Sequence, residues 1–156
     1  RAVPLLLSAD AGGLDDAVTG ECFGPVTVLV RYDGQEELAA AVAQLPSSLT
    51  ATVHSAPSEA ELVARLTASL RQIAGRLVYD GFPTGVSVSW AQHHGGPWPA
   101  TNSLHTSVGT SAVRRFLRPT TWQDAPQHVL PEELRDGPVA VPRRIDGVLR
   151  LPEVDG

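Results

Sequence analysis

The reactive side chains of this 156-residue sequence are few: one cysteine, five histidines and a short acidic–aromatic run. A lone cysteine becomes a nucleophile only where a base or a positive field forms its thiolate. Cys22 stands beside Glu21, whose charge opposes that, so it reads better as a small buried apolar residue ahead of a strand. His93 and His94, with His105 nearby, raise the question of a metal. Adjacent residues on an extended chain point to opposite sides, and zinc sites need further ligands at short spacing. Loop hydrogen bonding is the better reading. His94-Gly95-Gly96 also has the look of a hydrolase oxyanion loop, but no Gly-x-Ser-x-Gly nucleophile turn accompanies it. Glu21-Cys22-Phe23-Gly24-Pro25 is more suggestive. Its carboxylate could accept two hydrogen bonds from a sugar diol, and its aromatic ring could lie against a flat heterocycle. A plain loop-to-strand turn accounts for the same residues equally well.

The elements around these residues alternate. Val26–Tyr32 is β-branched and almost continuously apolar, which predicts a buried strand. Asp33 and Glu36 have capping-box spacing for a helix carrying Leu38, Val42 and Leu45 on one face. Leu49–His54 predicts a second strand. Ser58 and Glu61 repeat the capping-box spacing before the longest helix, whose stripe Leu62, Leu66, Leu70, Ile73 and Leu77 needs a sheet to cover it. Gly75 is the expected end of that helix in a left-handed conformation, with Arg76–Asp80 as a third strand. This order predicts an α/β region over residues 21–80 with parallel pairing. Residues 81–109 hold three of the five His and two of the three Trp with little periodicity, which marks a functional loop region. Ser111–Leu117 is a short helix. Arg118–Gln123 reads as an extended segment, and 125–156 as a Pro-rich tail that wraps or frays.

Composition removes several functions. Charged residues are 19% and the net charge is −5, against the basic footprint of a nucleic-acid binder. All 12 basic residues are Arg, so a P-loop lysine and a Schiff-base lysine are excluded within this sequence. A single cysteine excludes an internal disulfide and suits a reducing cytoplasm. No apolar run approaches the roughly 18 residues of a bilayer span. The sequence contains no Met and begins Arg1-Ala2-Val3, so a piece of a longer protein is the expectation.

Glu21-Cys22-Phe23-Gly24-Pro25 resembles the Glu-x-Phe-Gly-Pro motif of NAD(P)-dependent aldehyde dehydrogenases. The similarity runs from about residue 15 to 147. Gly75–Val86, containing Gly-Phe-Pro-Thr-Gly-Val, and Trp90–Thr101, containing His-His-Gly-Gly-Pro, resemble the branch that oxidises α-ketoglutarate semialdehyde and related small aldehydes.

The resemblance implies an α/β fold: the later part of the catalytic domain over 1–117, an oligomerisation strand over 118–124 and a C-terminal tail over 125–156. Glu21 matches the glutamate that holds the nicotinamide ribose hydroxyls, and Phe23 the phenylalanine beside the nicotinamide. Phe82, Pro83, Thr84, Gly85 and Val86 match the loop lining the aldehyde tunnel. Asp80 replaces an asparagine common in relatives, which would add charge near the tunnel or alter a loop hydrogen bond. The family's nucleophilic cysteine, general-base glutamate and oxyanion asparagine precede the Glu-x-Phe-Gly-Pro motif by a long way. No catalytic residue and no metal ligand is therefore assigned here. The expected partners are NAD or NADP, a small aldehyde and further copies in a homo-oligomer, with neither nucleic acid nor membrane. The alternatives are a non-enzymatic oligomerisation or binding module of this fold, or a phosphorylating or CoA-acylating relative.

Overall fold

A computed structural model describes residues 3–138 and 141–152. The chain divides into two compact units, Arg1–Leu117 and Arg118–Gly156.

The first unit is built on two separate two-stranded parallel sheets. β1 (Leu5–Asp10) pairs in parallel with β2 (Val26–Arg31), in register from Leu5 opposite Val26 to Asp10 opposite Arg31. An exposed Arg31–Asp10 ion pair at 3.0 Å closes that register. α1 (Asp16–Thr19) lies between them. α2 (Gly34–Ala43) follows β2, and β3 (Ser48–Val53) pairs in parallel with β4 (Ala74–Tyr79) across α3 (Ala60–Ile73). The parallel pairing expected for 21–80 holds for β3 and β4. The expected single sheet does not, because β2 takes β1 as its partner rather than β3. β2 is also not a buried strand. Its residues alternate between half-buried and exposed, with Leu29 54% exposed, so only one face of it is covered.

The core gathers Val42 of α2, Val53 of β3 and Leu70 of α3, with Leu38, Val63, Leu66, Ile73 and Leu77 packed against them. Leu66, Leu70 and Ile73 of the predicted stripe thus find their sheet, whereas Val63 takes the place expected for Leu62 and Leu77 reaches the core from β4 instead of from the helix. Both helix starts differ from the predicted caps in the same way. Asp33 makes no side-chain cap; its N–H donates to the Glu37 carboxylate, while Glu36 pairs with Arg65 at 2.9 Å. Ahead of α3, Glu59 and not Glu61 reaches back, accepting from the Ala56 N–H at 2.7 Å. Ser58 lies inside a 3-10 turn, Pro57–Glu59.

Gly75 does not end α3. The helix stops at Ile73, Ala74 is already extended, and Gly75 is the second residue of β4. Ala112–Phe116 forms a 3-10 helix where a short helix was expected.

In the second unit residues 118–123 carry no strand. The tail contains two 3-10 turns, Gln127–Val129 and Glu132–Leu134, and an antiparallel hairpin of β5 (Arg143–Ile145) and β6 (Val148–Arg150). Asp146 and Gly147 form its two-residue turn at φ 49° and 80°, the left-handed pair that Asp-Gly favours in a hairpin. Arg143 donates to the carbonyls of Arg135 at 2.7 Å and Gly137 at 3.0 Å, so side-chain to backbone bonds tie the hairpin to the turns before it.

Candidate functional site

Glu21 is placed by a chain of local bonds. Asp15 caps α1, its Oδ1 accepting from Ala17 N–H and Val18 N–H at 3.0 Å each. Gly20 closes that turn by donating to Asp16 O at 2.9 Å. A Cβ on Gly20 would stand 2.6 Å from the same carbonyl, so glycine is needed there by space. Two tight turns follow, Gly24 N–H to Cys22 O at 2.8 Å and Val26 N–H to Gly24 O at 2.9 Å. Pro25 O accepts from Leu5 N–H at 2.9 Å and locks the segment to the start of β1.

The fixed backbone presents its side chains outward. Phe23 is 95% exposed. Glu21 is exposed, and no hydrogen bond or ion pair among the described residues engages its carboxylate. Glu21 borders a cavity of about 550 Å³ shared with Thr19, Ser48 and Pro99. Free carboxylate oxygens and an uncovered ring are the acceptor and stacking chemistry that a ribose diol and a flat heterocycle require. Cys22 is exposed as well, which corrects its reading as a buried residue.

The second predicted segment, Phe82–Val86, leaves the end of β4. Asp80 makes the exit in a left-handed conformation, φ 48°, tolerated by Asp and Asn more than by most residues. Its Oδ1 accepts from Ser55 N–H at 2.9 Å and its own N–H donates to Val53 O at 2.9 Å. Asp80 thus takes part in a loop hydrogen bond. Phe82 is 82% exposed, with one side against His54 at a ring-centroid distance of 5.6 Å. The loop then folds back, so that Phe82, Thr84 and Gly85 border a cavity of about 490 Å³ with Arg76, Gln92 and His93. The Glu21 segment and this loop therefore line different cavities, and the described residues do not bring them together.

The histidine-rich stretch is a latch. A Cβ on Gly75 would overlap the Gly95 carbonyl and lie 2.9 Å from Gly96 Cα. A Cβ on Gly96 would lie 2.5 Å from Ser48 O, and one on Gly95 would lie 2.8 Å from His93 Nε2. Glycines at 75 and 96 thus let the loop press onto the starts of β3 and β4, while Gly95 leaves room for the His93 ring. Thr106, only 4% exposed, accepts from His94 N–H at 2.9 Å and donates to Val108 O at 2.8 Å. Thr101 Oγ1 donates to Gly96 O at 2.7 Å. Among the described residues no cluster of three His, Cys, Asp or Glu is arranged to hold a metal ion, and no helix is long and apolar enough to cross a membrane.

Comparison with known proteins gives related sequences, among them two named dehydrogenases. The chain is 43% identical over 143 residues to alpha-ketoglutaric semialdehyde dehydrogenase 2 of Azospirillum brasilense, covering 90% of this chain. It is 41% identical over 154 residues to alpha-ketoglutaric semialdehyde dehydrogenase of Acinetobacter baylyi, covering 96%. The chain is a relative of the alpha-ketoglutaric semialdehyde dehydrogenases. It spans 27% and 29% of the lengths of these two dehydrogenases. No family model matches the chain. Sequence reasoning found the motifs but missed their supports. His54, Ser55 and Thr106 lie outside any recognisable motif, and Thr101 only ends the Trp90–Thr101 run.

Proposed function

We propose that the chain belongs to an NAD(P)-dependent dehydrogenase of small semialdehydes, and that it contributes cofactor positioning and part of the substrate wall. Glu21 would accept hydrogen bonds from the two hydroxyls of the nicotinamide ribose, and Phe23 would flank the nicotinamide ring. When bound, the nicotinamide supplies the hydride acceptor for aldehyde oxidation. Phe82, Pro83, Thr84, Gly85 and Val86 would line the aldehyde path. The nucleophile and most of the dinucleotide contacts would come from sequence outside this chain. Residues 118–124 would serve as a strand in oligomerisation.

The observation that carries this reading is the outward-facing pair Glu21 and Phe23, unpartnered among the described residues yet set between hydrogen-bonded neighbours at the entry to β2. Their uncommitted chemistry is what a binding surface needs and a structural turn does not. Steady-state kinetics of Glu21→Gln in the intact protein test it. Gln keeps the shape and loses the charge. The Michaelis constant for the cofactor should rise roughly tenfold, the scale of one charge-assisted hydrogen bond. An unchanged cofactor constant and turnover would reduce the motif to a turn.

A further inference from the structure

We propose that Arg76 is a positioning residue that clamps the substrate loop 82–86 through the carbonyl of Thr84; the catalytic part of this inference rests on the function proposed above. Arg76 sits on β4, opposite Thr50 of β3. Its Nη2 donates to Thr84 O at 3.1 Å. Among the described residues no other hydrogen bond reaches residues 82–86, and the ring contact of Phe82 with His54 holds only the loop's first residue. The loop departs from the end of β4 at Asp80, yet Thr84 is returned to a residue near the strand's beginning. A charged guanidinium on a carbonyl oxygen is stronger than a neutral pair, and the rigid strand beneath it fixes where that carbonyl lies.

Two further observations separate this contact from incidental packing. Arg76 Nε is sealed from solvent, with no partner among the described residues. A buried donor left unpaired costs free energy, so internal satisfaction does not explain an arginine here. Arg76 also borders the same cavity as Phe82, Thr84 and Gly85. Displacing Thr84 would change the shape of that cavity directly, while Glu21 and Phe23 lie outside it. The expected signature is an effect on the aldehyde that leaves the cofactor untouched.

Arg76→Gln and Arg76→Lys in the intact protein test the clamp. Arg76→Gln should raise KM for the semialdehyde roughly tenfold with KM for the cofactor unchanged, and Arg76→Lys, which keeps one charged donor, should recover part of the loss. Thermolysin cleavage of the Gly85–Val86 bond, followed by mass spectrometry without substrate, should be several-fold faster in Arg76→Gln than in wild type. Equal changes in both Michaelis constants, no change in either, or an unaltered cleavage rate would overturn the proposal. If the wild-type protein oxidises no semialdehyde, the functional reading fails, and the cleavage comparison alone still decides whether Arg76 holds the loop.

Discussion

Residues 93–108 and the segments at Glu21–Phe23 and Phe82–Val86 all carry distinctive motifs, but they use their side chains in opposite ways. In 93–108 the threonine hydroxyls are spent on the protein itself, although Trp98 there stands 76% exposed: Thr106 bridges His94 and Val108, Thr101 closes on Gly96, and glycines admit the loop against two strands. In the other two segments the backbone is tethered while the aromatic rings stand outside, Phe23 at 95% and Phe82 at 82% exposure. A motif whose donors and acceptors are internally satisfied is explained by folding. A motif held rigid with its chemistry facing outward is explained by something it meets.

That contrast predicts a graded response. Gly75→Ala should be the most damaging change, because its Cβ meets backbone that cannot rotate away. A loss of about 3 kcal/mol or more is expected in a denaturant titration, against less than about 0.5 kcal/mol for Gly12→Ala, which has open space around it. Comparable stability of the two variants would break the latch account. Thr106→Val should cost about 1–3 kcal/mol by stranding the His94 N–H and the Val108 carbonyl. Phe23→Ala should shift stability by less than about 0.5 kcal/mol while weakening cofactor binding, measurable by cofactor titration. Cys22→Ser should change least. Its thiol is exposed beside a carboxylate, so the intact protein should keep most of its turnover, and loss of activity in a folded variant would give Cys22 a role denied here.

Much of this was legible in the sequence, for identifiable reasons. The apolar spacing of Leu38, Val42, Leu66, Leu70 and Ile73 is a local signal, and those residues do form the core. The capping spacing puts Asp33 at the N-cap position of α2, where it lies, but Glu37 rather than Glu36 takes its N–H, and ahead of α3 Glu59 rather than Glu61 reaches back; tertiary geometry chooses among neighbouring acids. Gly75 was visible as special. Its reason was not, because the clash it avoids is with a residue twenty positions away. β1 was missed: Leu5, Leu6 and Leu7 are 51%, 67% and 48% exposed, and pairing with a distant strand defines them rather than any local alternation. The β5–β6 hairpin did have a local signal, Asp146-Gly147 between Ile145 and Val148, which the frequency of Pro around it obscured. At the site, Glu21, Phe23 and the 82–86 loop were recognisable by motif, whereas the bonds that hold them, from Asp15, Asp80 and Arg76, depend on the folded backbone.

The central claim is that Glu21 positions a nicotinamide for hydride transfer. Its most direct test is the primary deuterium isotope effect on single-turnover oxidation of aldehyde labelled at the transferred hydrogen, compared between wild type and Glu21→Gln in the intact protein at saturating cofactor. A ring no longer held by its ribose lengthens the donor–acceptor approach, so the variant should transfer hydride more slowly and with a larger isotope effect. The same rate and the same isotope effect in both proteins would contradict the account.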